Sequence, residues 1–348
     1  MAAKRLSISA DDTTYYGLPG SQAEINREAA TPDDTIYGES FKSTFPAILG
    51  WSLQGNAVYK GFAGYQATVK KVGTTTAFTD QACTLVSGKT YQISDATKRI
   101  WDRSVAVVVE DATVAVNNDN IESIDFLYGK VTFVSSYTPG GAITVTGSSF
   151  PTTSLGSIRG FTLTQNADAI DNSDYATVQA NGGYKTHQPG LRTVSVELPG
   201  VFKAVNGMVA LLEARSEVII EINPDGNSKS ICRGFFRPIN QRQSGNVGAL
   251  EEENVTFNLS VPIQATGPAS ATPFAWAHTS DSPIPAGIKT ALNAWEAEDL
   301  IYVKYLHDGT NGYKGQGVIT SMTLSSSMEG LNTFAVNVQG SGATTNIP

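Results

Sequence analysis

Reactive and ionisable side chains are scarce in this chain: of 348 residues only 16% are charged, two are cysteine and three are histidine. Cys83 and Cys232 lie far apart, without Cys-x-x-Cys spacing or a nearby histidine pair. That argues against a disulfide framework or a zinc site and leaves both as small buried hydrophobes. His187, His278 and His307 have no Cys, Asp or Glu at metal-ligand spacing, so neither a metal nor a cofactor is expected. A Gly-x-Ser-x-Gly elbow is absent. Gly315-x-Gly317 lacks a third glycine and a following helix, which makes it a hairpin feature and not a dinucleotide loop. Runs of lysine or arginine are missing, and the net charge is −8, so tight binding of nucleic-acid phosphates is not expected. No window approaches the about 18 apolar residues of a membrane helix, and no apolar stretch follows Lys4 and Arg5. Neither a membrane anchor nor a secretion signal is expected.

What remains is β-forming material. Hydrophobic residues make up 41%, glycine numbers 33, and Thr, Ser, Val and Asn are abundant, which predicts a mainly β chain. The length suits two or three domains. Two acidic clusters, Asp33-Asp34 and Glu251-Glu252-Glu253, could suggest paired acids for hydrolysis, but neighbouring strand residues point to opposite faces, which favours reading them as solvated. The basic, aromatic run Ala96–Trp101 is read as Trp101 packing a core beside two solvated charges.

An internal repeat organises the chain. Phe41–Lys60 aligns without gaps on Tyr184–Lys203, so that Lys42, Pro46, Ser52, Val58 and Lys60 meet identical residues. Met208–Gly226 aligns likewise on Ala291–Gly309. Each of these begins as an amphipathic helix, with Val205, Val209 and Leu212, or Ile288, Leu292 and Trp295, on one face. Pro285 stands just before the second helix. An apolar strand follows, Val218–Ile222 or Leu300–Leu306, then an Asp-Gly turn and two more strands. The last strand alternates in both copies: Val255, Phe257, Leu259 and Val261 answer to Phe334, Val336 and Val338, with polar residues between. The two offsets differ, so the copies are expected to be nested, with copy A split into 1–72 and 268–348 and copy B continuous over 155–265. Between the halves, 78–150 is expected to be a small inserted β-sandwich, with Trp101, Val105, Val107 and Val109 alternating, a turn at Asn117–Asn120, and strands in Tyr128–Val134 and Ile143–Val145. Ile25–Glu39 and Asp168–Gly183 are expected to be long polar loops, of the length that in compact domains is usually functional.

Three passages resemble the major tail tube proteins of long-tailed, siphovirus-type bacteriophages. They are Gly160–Leu198 with its strand, acidic turn and strand; Tyr313–Gly342 with its terminal Gly-x-Gly; and the inserted YQISDATKRIWDRS with IDFLYGKVTF. The resemblance implies two β-sandwich or barrel tail-tube domains, each with one flanking helix, and no enzymatic activity. It implies a structural virion protein, assembled in the host cytoplasm, that polymerises into stacked rings through which DNA passes without specific binding. The partners it implies are further copies of the chain and the tape-measure, tail terminator and distal tail proteins. The duplication favours a homotrimer with pseudo-six-fold symmetry over a homohexamer. A low-charge lining lets DNA slide, and Glu252, Asn254, Thr256, Asn258, Ser260, Thr333 and Asn337 are the expected lumen residues. The competing reading is a tail adhesin or carbohydrate-binding β-protein acting through the insertion, with a β-rich polysaccharide hydrolase as a third.

Overall fold

A computed structural model describes residues 5–31, 48–63, 68–155, 158–201, 212–224, 226, 229–245, 251–261, 273–327 and 331–348. The helix expected around Val205 and Val209, the segment 41–47, Asp33-Asp34 and Asp225 lie outside them. The first strands are β1 (Arg5–Ser9), β2 (Tyr16–Gly17), β3 (Gly20–Ala29), β4 (Leu49–Ala63) and β5 (Thr68–Val72). A compact stretch follows with β6 (Thr76–Ser87), β7 (Thr90–Ile93), β8 (Val108–Asp111), β9 (Val114–Ala115), β10 (Ile121–Asp125), β11 (Lys130–Phe133) and β12 (Ile143–Ser149). Next come β13 (Thr152–Ser154), β14 (Gly160–Asp171), α1 (Tyr175–Ala180), β15 (His187–Val201), β16 (Val218–Asn223), β17 (Ser230–Ser244), β18 (Glu252–Leu259) and β19 (Phe274–His278). The chain closes with α2 (Ala286–Ala297), β20 (Ile301–Leu306), β21 (Gly312–Ser327) and β22 (Leu331–Ile347).

The molecule is mainly β, in a 15-stranded sheet and a 7-stranded sheet formed by β6–β12, one of the two curved as half a barrel. Eight strands of the larger sheet run side by side in the order β3-β4-β22-β21-β14-β15-β18-β17. They form two sets of four with the same internal order: β3-β4-β22-β21, then β14-β15-β18-β17. Register makes the repeat literal. The row Ile25, Leu53, Val338, Ile319 in the first set matches Leu163, Val196, Phe257, Pro238 in the second, and each set carries a bulge at the next step, between Ile319 and Ser321 or between Pro238 and Asn240. Two flanking pairings repeat as well, since β1 pairs with β20 as β5 pairs with β16. The strands of the first set come from both ends of the chain and those of the second from the middle, with β5 (Thr68–Val72) pairing on β16 beside the second set.

Alternation explains how this layer holds its core. Directly opposed residues of antiparallel strands share a face, so Phe257, Val196, Leu163, Leu324, Phe334 and Ala57 form one apolar row across six strands, all buried. β1 packs on that face: a Cβ on Gly55 would stand 2.3 Å from Leu6 Cδ2. α2 packs against β1, β2 and β19 with Ile288, Leu292 and Trp295 buried, as its period predicts, and it starts at Pro285.

The 7-stranded unit has its own core around Trp101, Ile124, Val131, Phe133 and Val145. Trp101 is fully buried and its Nε1 donates to Lys98 O at 2.8 Å, while Lys98 pairs with Asp95. The expected alternation from Trp101 to Val109 does not form a strand: residues 102–107 turn, Val105 is exposed, and β8 begins only at Val108. Trp101 is buried by packing against Phe78 and Phe126, and its backbone is tied in by an isolated bridge to Ser149, not by a ladder. The two expected polar loops are also corrected. Residues 25–29 belong to β3, and Asp168–Gly183 carries the end of β14 and α1, whose Asp174 and Thr177 form a capping box.

Candidate functional site

The face opposite the apolar rows is polar over the eight strands, and at its β17 end Phe235, on the same side as Arg237, packs into the core of the 7-stranded unit. Three successive rows define it. One runs Asn240, Thr256, Glu197, Thr162, Ser325, Thr333, Val58. The next runs Arg237, Asn258, Ser195, Thr164, Thr323, Ala335, Asn56, Gln22. The third runs Thr193, Asn166, Ser321, Asn337, Gln54, Glu24. Within these rows, strands β4, β22, β21, β14, β15 and β18 present no Lys or Arg, and Glu197 is their one charge. The face is knitted by short side-chain hydrogen bonds: Ser325 Oγ with Thr333 Oγ1 at 2.6 Å, and Asn337 Nδ2 to Ser321 Oγ at 2.6 Å. Such an array offers many weak hydrogen-bonding groups and little net field.

The sequence-predicted residues fall here in the following way. Thr256, Asn258, Thr333 and Asn337 sit on the three rows, and Asn254 and Glu252 continue the same face toward one end of β18, opposite Arg242 and Ser244. Ser260 lies just past β18, where its hydroxyl donates to Glu217 Oε2 at 2.9 Å. Glu253, between Glu252 and Asn254, is buried and accepts from Gln241 Nε2 at 2.6 Å, so the glutamate run alternates between faces but is not the wholly solvated cluster expected. Sequence reasoning missed the other half of the face, on β14, β15, β21 and β4. The signal was present in the alternations Thr162-x-Thr164-x-Asn166 and Ser321-x-Thr323-x-Ser325.

The histidines serve structure. His187 Nδ1 lies 2.8 Å from Gly340 O, and His307 sits in the turn between β20 and β21. His278 stacks on Trp276, and burial lowers it to about 4. Its Nδ1 is 3.0 Å from Ser230 Oγ, but Ser230 has no exposed surface, and among the described residues no carboxylate bonds the other ring nitrogen to complete a triad. Among the described residues no three His, Cys, Asp or Glu side chains converge on a point that could hold a metal ion, and no helix is long and apolar enough to cross a membrane. Burial pushes the Cys83 thiol up to about 12 and the Cys232 thiol higher still.

Comparison with known proteins gives little beyond this geometry. No protein-family description and no curated protein matches the chain. Among solved structures, the chain is similar to a subunit in the tail of an empty gene transfer agent (GTA) particle, solved by helical refinement with C6 symmetry, at 15% identity and a TM-score of 0.29, covering 34% of this chain and 87% of that one. It is similar to a subunit in the virion of a native GTA particle at 15% identity and a TM-score of 0.29, covering 33% of this chain and 89% of that one.

Proposed function

We propose that the chain is a structural, non-enzymatic phage tail tube subunit whose copies close into stacked rings, with the polar eight-strand face turned to a lumen that conducts DNA. The observation that carries this is the pair of equivalent four-strand sets laid edge to edge with a continuous, nearly uncharged polar face. Such a layer has two open edges, β3 at one end and the second half of β17 at the other, neither paired along that side among the described residues. Open edges are a hazard that ring closure removes. Three chains would supply six four-strand sets, which favours a trimeric ring. DNA carries about one charge per 1.7 Å of axis, so a lining whose six inner strands present no Lys or Arg in these rows gives it little to grip. The sequence resemblance to tail tube proteins points the same way.

Negative-stain microscopy of the purified chain tests this. Rings or tubes with three copies per turn are expected, whereas persistent monomers at high protein concentration would overturn the reading, and glycan binding by those monomers would favour an adhesin.

A further inference from the structure

The chain contains, between its own two copies, a joint of the kind its open edges require. β14 pairs with β21 through Thr162↔Ser325, Thr164↔Thr323 and Asn166↔Ser321. The repeat in register places Glu24, Asn26 and Glu28 of β3 where β14 has Thr162, Thr164 and Asn166. It places Ser244, Arg242 and Asn240 of β17 where β21 has Ser325, Thr323 and Ser321. The geometry points to a second copy of this chain docking its β17 edge on β3 in that same register, antiparallel, with Glu24 opposite Ser244, Asn26 opposite Arg242 and Glu28 opposite Asn240.

Charge supports the register independently of the repeat. The internal joint is neutral at all three rows. In the joint between copies, Arg242 stands diagonally between Glu24 and Glu28, within reach of a long side chain on both sides. All three are exposed, and none forms an ion pair among the described residues. A slip by two residues leaves Arg242 beside only one of the two glutamates. The acidic edge and the basic edge therefore select each other and reject their own kind, since β3 on β3 brings glutamates together. Charged edges that serve only to block aggregation would need no such complementarity.

This inference rests on the ring-forming reading and can fail without it. In a Cys83→Ser background, where the remaining Cys232 is buried, Glu28→Cys with Asn240→Cys is expected to cross-link neighbouring chains into a ladder under mild oxidation. Glu24→Cys with Asn240→Cys puts the sulfurs four residues out of register, about 13 Å apart, beyond disulfide reach, and is expected to give at least about ten-fold less product. Separately, Arg242→Glu alone, or Glu24→Lys with Glu28→Lys, is expected to cut sedimentable assemblies about ten-fold at low salt, and the three together to restore them. Assemblies that form normally but cross-link in another register, or ignore all the charge reversals, overturn the proposed joint and leave the tube reading standing. A chain that never assembles overturns both.

Discussion

At the residue scale, the terminal Gly-x-Gly is legible in the sequence as a pattern, but its reason is not. Trp51 is buried with its Nε1 donating to Gly342 O at 2.9 Å, and a Cβ on Gly340 would stand 2.2 Å from the indole ring. A Cβ on Gly315, on β21, would meet the same ring at 2.6 Å. Glycine here makes room for one tryptophan brought from the other end of the chain, a contact no local pattern encodes. Gly340→Ala is expected to destabilise the fold by about 2 kcal/mol or more, measured as a lower denaturant midpoint at unchanged slope. Glu296 is a second residue whose state depends on distant neighbours. Burial pushes its carboxyl up to about 7, although it accepts the backbone N–H of Trp276 and lies near Arg192. A carboxyl raised on folding keeps its proton in the native state while the unfolded chain has released it. Its contribution is therefore complete below the unfolded value near 4.5 and is lost as pH rises through about 7. Allowing for partial exposure, the wild type is expected to lose about 1–2 kcal/mol relative to Glu296→Gln between pH 5 and pH 8, as read from paired denaturation curves. A constant difference across that range would show that the carboxyl is ionised throughout.

At the element scale, amphipathic patterns were readable wherever one face is buried and the other wet. α2, β18 and β22 follow their periods for that reason. β16 does not alternate, because both its faces are covered: Val218, Ile220 and Ile222 join the large core, while Ile219 joins the core of the 7-stranded unit. The apolar run Val218–Ile222 carried that information, but a single sequence does not say which layers cover it. The covering unit is held by more than apolar contact. Glu221 is almost fully buried between Arg233, at 2.7 Å, and Lys70, at 2.8 Å. Burial alone would raise its carboxyl, yet these cations hold it below the ordinary value. Arg233 also donates to Leu127 O at 2.8 Å and lies over the Tyr128 ring, and the Tyr128 hydroxyl, with one proton to donate, lies 2.8 Å from Ile231 O and 2.9 Å from Ala275 O. Arg233→Ala leaves the buried carboxylate to Lys70 and cuts the tie to the 7-stranded unit, so a loss of about 3 kcal/mol is expected. Hydrogen exchange is expected to rise first in β10 and β11, which flank Leu127 and Tyr128. Uniform exchange across both sheets would show that the ion pair does not anchor the unit.

At the scale of the whole molecule, the sequence disclosed the duplication but not its geometric consequence. Unequal repeat offsets implied nesting; they did not say that the two sets would lie edge to edge and merge their polar faces into one. That merging depends on β14 meeting β21, strands more than 150 residues apart in the chain. It also sets the electrostatic character of any assembly, because whatever one chain presents on this face is repeated by every copy around and along a tube. A single basic substitution is multiplied accordingly. Thr164→Lys with Thr323→Lys places two opposed cations in the centre of the face without touching the core rows, and the face has space for them because both positions are only half-buried. If the face lines a DNA conduit, tubes of the native chain are expected to leave short duplex DNA unbound at low salt. Tubes of the double variant are expected to retain it, with retention falling steeply as salt rises from 50 to 200 mM, by about ten-fold or more if two or more phosphates are contacted per binding event. Fluorescence anisotropy of end-labelled duplex added to preassembled tubes reads this directly. Equal retention by native and variant tubes would place the polar face away from the passage, because cations buried at a ring-to-ring contact or facing outward into a covering layer gain no access to DNA.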